Sequence, residues 1–156
     1  MAAKPDDPER VIDHPFRAYP AYDETAERNR TTLLKAIDAF IAGDADGFWS
    51  IFDPDVTFYE AACLPYGGAH KGLEATKRGY AKMGSTFSTM STSVEAVPAS
   101  RDIVIIYQTI TFRVKGNGNE GTLPVAEIFR FRDGKVVEWR ACYFDADMVA
   151  RAIKTP

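Results

Sequence analysis

Hydrophobic residues recur at helical spacing in the first half of the chain, and this pattern predicts three helices there. The first helix would begin after Asp23, a residue suited to an N-cap, and end at Gly43. Its inner face would carry Leu33, Leu34, Ile37, Phe40 and Ile41. A short second helix would follow Asp44, and a third is predicted at residues 72–83, with a strand at residues 56–60 between them.

From residue 86 onward the hydrophobic period changes to two, which is typical of strands. Four strands are predicted, at residues 86–97, 103–114, 122–132 and 135–143. The segment 61–71 is predicted to be a loop, and a last helix would follow Asp145. Helices followed by an antiparallel meander indicate an α+β fold, in which a curved antiparallel sheet wraps around the N-terminal helices and encloses a cone-shaped apolar pocket.

The chain has 156 residues, a length that suits one domain. Residues 1–22 hold four prolines among charged and aromatic residues and are predicted to form an extended arm. The single domain would therefore span residues 23–156. Hydrophobic residues make up 46% of the chain and aromatic residues 12%, which is enough for a sizeable core and excludes disorder for most of the chain.

Charge and residue usage argue against several classes of function. A net charge of −3 without a basic block speaks against a nucleic-acid partner. The longest apolar run, residues 103–107, is too short to cross a membrane, and the N-terminus lacks the apolar segment of a signal peptide, so a cytoplasmic protein is expected. His14 and His70 show no ligand spacing, so no metal is expected. Cys63 and Cys142 could form one disulfide, but reduced thiols are the favoured interpretation.

Alternation along the strands places acids on apolar faces. The apolar face of the strand at residues 122–132 would carry Leu123, Val125, Glu127, Phe129 and Phe131. In the first strand, Glu60 shares a face with Val56 and Phe58. Gln108 is the single polar residue on the apolar face of the strand predicted at residues 103–114.

Burying an unpaired carboxyl is costly, so Glu60 and Glu127 have alternative interpretations. Each acid could meet an arginine, the assumed register could be wrong by one residue, or Glu60 could be exposed at its strand end. In the functional interpretation Glu127 is largely buried near Phe129 without an arginine partner, and desolvation raises the pKa of both acids. Two such groups in one apolar pocket can take separate acid and base roles.

Two segments of the chain resemble a known family. Residues 43–60, GDADGFWSIFDPDVTFYE, and residues 127–144, EIFRFRDGKVVEWRACYF, are similar to the ketosteroid isomerases of the NTF2-like superfamily. The wider group includes the SnoaL-like polyketide cyclases, which the LPYGG segment after Glu60 resembles more closely. The resemblance covers residues 25–153 and implies an NTF2-like fold.

The resemblance also implies roles for individual residues. Glu60 falls where the isomerases place their catalytic base, and Glu127 falls where they place the acid that donates a hydrogen bond to the oxyanion. Tyr80 falls at the position of a supporting tyrosine. The principal oxyanion tyrosine of the isomerases is replaced by Ala36, and Tyr66 could supply the missing hydroxyl or could simply fill the core.

Further residues are predicted to contact a substrate, either as walls of the pocket or as neighbours of the two acids. They are Phe58, Tyr66, His70, Phe87, Met90, Gln108, Phe129, Trp139 and Tyr143. The simplest interpretation of Phe87, Met90, Trp139 and Tyr143 is a place in the core, and His70 in its loop could be a surface residue.

Together these features predict a small cofactor-free enzyme that acts by acid/base chemistry on a hydrophobic molecule containing a carbonyl group, as an isomerase, cyclase or dehydratase. The alternative is a non-catalytic module of the same fold that binds a small molecule or dimerises, and epoxide hydrolysis would be a third possibility. A second apolar face predicts a homodimer, because it is too apolar to be left wet. It is formed by Ile105, Tyr107, Thr109, Thr111 and Ile128.

Overall fold

The computed structural model describes residues 23–155, so the predicted arm at residues 1–22 lies outside the described residues. The helices are α1 (Glu24–Ile41), α2 (Ala45–Trp49), α3 (Leu73–Thr86) and α4 (Ala146–Lys154). The strands are β1 (Phe52–Glu60), β2 (Gly68–Lys71), β3 (Phe87–Ala96), β4 (Ala99–Ser100), β5 (Ile103–Val114), β6 (Glu120–Arg132) and β7 (Lys135–Tyr143).

The strands form one curved sheet in the order β2-β1-β7-β6-β5-β3, with β4 paired to β5. Helices α1 and α3 pack against this sheet, and the main core lies between them and the apolar strand faces. The α+β class with helices preceding a long antiparallel meander is therefore confirmed. The sheet has one parallel contact, between β1 and β7, which joins the start of the domain to its end.

Three aspartates begin helices as predicted. The Asp23 carboxylate accepts hydrogen bonds from the backbone N–H groups of Thr25 and Ala26 at the start of α1. Asp44 and Asp145 make the equivalent bonds at α2 and α4. Such caps satisfy backbone donors that a helix leaves unpaired, and each contributes about 1 kcal/mol.

Two boundaries around the first strand differ from the predictions. Strand β1 begins at Phe52 and runs through Pro54, because the irregular register of β1 against β7 tolerates a residue that donates no hydrogen bond. The predicted loop at residues 61–71 contains β2, which pairs antiparallel with β1 from Glu60 opposite Gly68 to Thr57 opposite Lys71. Local turn residues obscured this short hairpin in the sequence.

The inward face of β7 also differs from simple alternation. Strict alternation with Trp139 would place Val137 on the inward face, but Val136 is fully buried and Val137 only partly. Pairing with β6 shifts between Phe131 opposite Val136 and Arg130 opposite Glu138, so one extra residue of β7 is accommodated there. A bulge of this kind reverses the face on one side of it.

The C-terminal end of α1 is more exposed than its apolar pattern predicts. Leu33 is completely buried, whereas Phe40 is 38% exposed and Ile41 is 78% exposed. Both exposed residues line the cavity described below. The apolar stripe therefore covers the core at one end of the helix and the mouth of a pocket at the other.

Other sequence-based expectations concern thiols, metals and membranes. Cys63 and Cys142 are both free and exposed. Within residues 23–155, histidine, cysteine and acidic side chains form no group of three or more that could hold a metal ion. No helix in the same range is long and apolar enough to cross a membrane.

We propose that the outward face of β5 and β6 pairs two copies of the chain. Tyr107 is 40% exposed at the centre of this face, beside Ala126 and near the pair Ile105 and Ile128. Light scattering at micromolar concentration is expected to give the mass of a dimer, and Tyr107→Lys is expected to give a monomer because it places a charge in the contact. A monomeric mass for the unaltered chain would contradict the proposal.

Candidate active site

One cavity of about 220 Å³ lies between the helices and the concave face of the sheet. It brings together most of the residues predicted to form a site: Glu60, Tyr66, Tyr80, Phe87, Met90, Gln108, Glu127, Phe129, Trp139 and Tyr143. Its lining also includes Phe40 and Ile41, which, like Met90, are partly open to solvent. The mouth of the cavity therefore lies between the end of α1 and strand β3.

Glu127 is held by neighbours on both adjacent strands. Gln108 Nε2 donates to Glu127 Oε1 at 2.8 Å, and Trp139 Nε1 donates to Glu127 Oε2 at 2.9 Å. The register explains both bonds: Glu127 lies opposite Ile106 on β5 and Ala141 on β7, so Gln108 and Trp139 are its diagonal neighbours on the same face. The predicted alternation of β6 is confirmed.

Burial raises the pKa of Glu127, and the two hydrogen bonds, from Trp139 first and then from Gln108, lower it in part. The side chain keeps a little accessible surface, but it lines the cavity and is surrounded by protein atoms, so it is desolvated all the same. Among the described residues no arginine pairs with it. The predicted direction of the pKa shift is thus confirmed.

Glu60 ends strand β1 and is 7% exposed. Burial raises its pKa to about 8; the hydrogen bond from Tyr143 opposes this rise, and the nearby Glu127 adds to it. The Tyr143 hydroxyl donates to Glu60 Oε1 at 3.3 Å. The other oxygen, Oε2, is buried and has no hydrogen-bond partner. Glu60 therefore offers a free acceptor inside the cavity.

Tyr143 and Tyr66 form a polar wall beside Glu60. Burial raises the pKa of both phenols, and the nearby Glu60 charge adds to the rise. Tyr66 is 1% exposed, because the loop after β1 folds it into the second core cluster with Leu64 and Phe87. Tyr66 thus both fills the core and presents a hydroxyl to the site, which unites the two interpretations of this residue.

Tyr80 and Trp139 form the aromatic wall near Glu127. Their ring centroids are 5.6 Å apart, and Trp139 also stacks on Phe129 at 5.2 Å. Burial, with the nearby Glu127 charge as the smaller cause, raises the pKa of Tyr80 to about 12. The Tyr80 hydroxyl therefore keeps its proton at neutral pH and can donate it to a hydrogen bond.

Phe58 and His70, both predicted to contact a substrate, are not among the residues that line the cavity. Phe58 is completely buried behind Trp139, with their ring centroids 4.2 Å apart. His70 stacks on the other side of Phe58, and its Nε2 lies 2.9 Å from the Tyr66 carbonyl oxygen. A side chain at Gly79 would meet the His70 ring at 2.8 Å, so α3 packs directly on it. His70 holds the loop that carries Tyr66.

Sequence reasoning missed part of the cavity wall. Ile106, Ile110 and Phe112 share the inward face of β5 with Gln108 and line the cavity, but alternation in the sequence cannot separate a cavity wall from solid core. The others that were missed come from the helices and neighbouring strands, and include Ile37, Phe48, Met83, Thr92 and Val149.

Comparison with known proteins identifies the family. The family model of the SnoaL-like domain matches residues 33–139, more than half of the chain. The chain belongs to the SnoaL-like family. This match confirms the resemblance found in the sequence. No curated protein matches the chain.

Solved structures show the same fold at low sequence identity. An NTF2-like protein of unknown function from Burkholderia pseudomallei is 22% identical with a TM-score of 0.72, over 82% of this chain and 98% of that one. A protein described as a SnoaL-like polyketide cyclase from Jannaschia is 22% identical with a TM-score of 0.73, over 88% and 99%. TerC, crystallised with polyporic acid, is 21% identical with a TM-score of 0.70, over 82% and 99%. The chain therefore has the NTF2-like fold.

The raised pKa of Glu60 predicts that stability depends on pH. Between the ordinary value of 4.5 and the folded value of about 8, the folded state holds a proton that the unfolded state releases, so stability falls as pH rises through this window. Glu60→Gln removes this loss. The free energy of unfolding of the variant, measured against that of the unaltered chain, should therefore be higher at pH 8 than at pH 5 by on the order of 3 kcal/mol. Urea unfolding at both pH values measures it.

The matched control is Glu74→Gln, which removes an equal charge from the exposed surface of α3. Its stability should follow that of the unaltered chain at both pH values. An equal pH dependence in Glu60→Gln and in the unaltered chain would show that Glu60 titrates normally.

Proposed function

We propose that this SnoaL-like domain is a cofactor-free acid/base catalyst that shifts a proton next to the carbonyl group of a small hydrophobic molecule. Isomerisation, cyclisation and dehydration all require this step. The observation that carries the proposal is the placement of Glu60 and Glu127 in one apolar cavity without a basic partner among the described lining residues. Buried acids with shifted pKa values are typical of catalytic sites.

Glu60 is the base in this proposal. Its Oε2 has no hydrogen-bond partner, so a lone pair is free to take a proton from the carbon next to the carbonyl group. A pKa of about 8 suits a general base near neutral pH, because an appreciable fraction is ionised and the carboxylate is more basic than usual. Tyr143 fixes the other oxygen and so the direction of attack.

Protonated Glu127 is the oxyanion donor. Trp139 and Gln108 both donate to it, and an indole N–H cannot accept a hydrogen bond. A proton on Glu127 therefore remains available to the oxygen of an enolate in the cavity, with the Tyr80 hydroxyl as a second donor. Return of the first proton from Glu60 to another carbon of the enolate completes an isomerisation, and both carboxyls end as they began.

The size of the cavity limits the substrate. A volume of about 220 Å³ lies below the roughly 300–1,000 Å³ that is typical of pockets for drug-sized ligands. We therefore expect a substrate of one or two rings, with any longer part leaving between Ile41 and Met90 at the mouth. The complex of TerC with polyporic acid supports small-molecule binding by this fold.

The alternative function is binding without turnover. It is favoured by Ala36, which is buried in the core and offers no hydroxyl where the ketosteroid isomerases, by resemblance, carry their principal oxyanion tyrosine. In that case the same cavity would hold a ligand, but the protein would exchange none of the ligand's protons. Catalysed exchange on a bound ketone separates the two functions.

The first prediction concerns proton exchange with D₂O. The protein should speed the exchange of the acidic α-protons of β-tetralone, a two-ring ketone, as measured by NMR. Glu60→Gln keeps the size of the side chain but removes the base, so exchange should fall by about 10²-fold or more. Glu127→Gln should cost less, because an amide N–H still donates, whereas Glu127→Ala should cost more because the donor is lost.

Glu74→Gln again serves as the control and should leave exchange unchanged. Equal losses in the two Gln variants would mean that the roles of the acids are wrongly assigned. If the unaltered protein exchanges no faster than Glu60→Gln on several ketones shown to bind, the binding module is the better description.

The second prediction concerns the pH profile of the same exchange. The rate constant kcat/KM should rise about tenfold per pH unit until about pH 8, as Glu60 ionises. The two carboxyls interact, so the profile reports the pair. Glu60→Gln should lose the rising limb. A flat profile from pH 5 to pH 8 would contradict a base with this pKa.

A further inference from the structure

The cavity carries acidic groups that no positive charge balances. Glu60 and Glu127 both line it, and no lysine or arginine does so within the described residues. The arginines near the sheet, such as Arg130 and Arg140, lie on the outward face, where they pair with Asp102 and Glu138. Any anion that enters the cavity would therefore meet acidic groups and no counter-charge.

One acidic atom also lacks a hydrogen bond. Glu127 uses both of its oxygens on Gln108 and Trp139, but Glu60 Oε2 is buried with no partner. Buried polar atoms are nearly always paired, so an unpaired carboxyl oxygen in a cavity wall indicates that a ligand supplies the donor. An N–H group of an ammonium ion makes the strongest such bond, because both partners are charged.

The remaining wall suits a cation with an apolar body. The rings of Tyr80, Phe129 and Trp139 line the same cavity, and aromatic faces attract ammonium groups, more strongly when water is excluded. The volume of about 220 Å³ admits a molecule of one or two rings. Acidic groups, aromatic faces and a small apolar cavity together favour one ligand class.

From this arrangement we infer that the cavity binds small cyclic or aromatic amines as ammonium ions, with the ammonium N–H directed at Glu60 Oε2, and that it rejects carboxylate ligands of the same size. This binding uses the cavity of the proposed function but does not require turnover. An amine would occupy the place of the carbonyl substrate and inhibit any reaction on it.

The groups that face Glu60 indicate that binding of an amine releases the Glu60 proton. These are Tyr143 on β7, Glu127 on β6 and Tyr66 in the loop after β1, with Cys63 of the same loop acting on Tyr66. All are neutral or acidic, so none offsets the charge of an ionised Glu60. At pH 7 Glu60 is mostly protonated, and an entering ammonium ion favours the carboxylate, so close to one proton should leave for each amine bound.

The experiment compares three ligands with one two-ring skeleton: aminotetralin as the cation, β-tetralone as the neutral ligand and tetralin carboxylate as the anion. Isothermal titration calorimetry at pH 7 in two buffers of different ionisation enthalpy gives both affinity and proton release. Aminotetralin should bind at least roughly 10–100-fold more tightly than the carboxylate, with proton release that β-tetralone lacks.

Glu60→Gln should weaken aminotetralin roughly 10–100-fold and abolish proton release, while β-tetralone affinity changes less than about threefold. Retained β-tetralone binding shows that the variant is folded, and Glu74→Gln should behave as the unaltered protein. Equal affinity for the three ligands, amine binding without proton release, or amine binding unaffected by Glu60→Gln would each overturn the inference. If Glu60→Gln does not fold, the ligand comparison and the proton release of the unaltered protein still decide it.

Failure of this inference and failure of the proposed function are distinguishable. Absent exchange on β-tetralone, together with amine binding and proton release, would leave a binding module for amines. Exchange on β-tetralone without preference for the amine would keep the catalyst and remove the amine site.

Discussion

The hydrogen bond from the Trp139 indole to Glu127 connects the packing of this domain to its chemistry. Trp139 is 4% exposed and packs against rings from α2, β1, α3 and β6: Phe48, Phe52, Phe58, Tyr80 and Phe129. Aromatic pairs of this kind fix ring orientation as well as burying area. Because the core fixes the indole, its N–H holds the Glu127 carboxyl at 2.9 Å in one orientation. The folding of the core thereby positions a buried acid.

The two acids face the same electrostatic constraint and satisfy it differently. An unpaired carboxylate in an apolar cavity is costly, so each group gains a raised pKa instead of a cationic partner. Glu127 is surrounded by donors that compensate its burial, whereas Glu60 has one oxygen bound by Tyr143 and one oxygen unpaired. In the proposed function, the domain gives up stability at neutral pH to keep a reactive acceptor at Glu60, which is typical of functional sites.

Local patterns in the sequence predicted most of the fold and the polar residues of the site, but only part of the apolar cavity wall. Alternation on β5 and β6 placed Gln108 and Glu127 on one inward face, and antiparallel neighbours in a meander made their contact derivable. The parallel pairing of β1 with β7 was not derivable, since it joins segments far apart in the chain, and it is what brings Glu60 beside Tyr143. The bulge that buries Val136 instead of Val137, and the packing of His70 behind Phe58, likewise depend on tertiary contacts.

The family match establishes the fold and leaves the chemistry to the individual side chains. Each acid here is a glutamate, whose side chain is one methylene longer than that of an aspartate. The Glu127 carboxyl reaches diagonal donors on two strands, Gln108 and Trp139, at once. The position of Ala36 supplies no hydroxyl, while Tyr80, Tyr66 and Tyr143 bring hydroxyls to the cavity from other elements. Hydroxyl donors can thus come from different helices, strands or loops in the same fold, provided that the cavity still excludes positively charged side chains. In the proposed amine site, that exclusion makes the charge of the ligand, more than its exact skeleton, the property that the cavity discriminates.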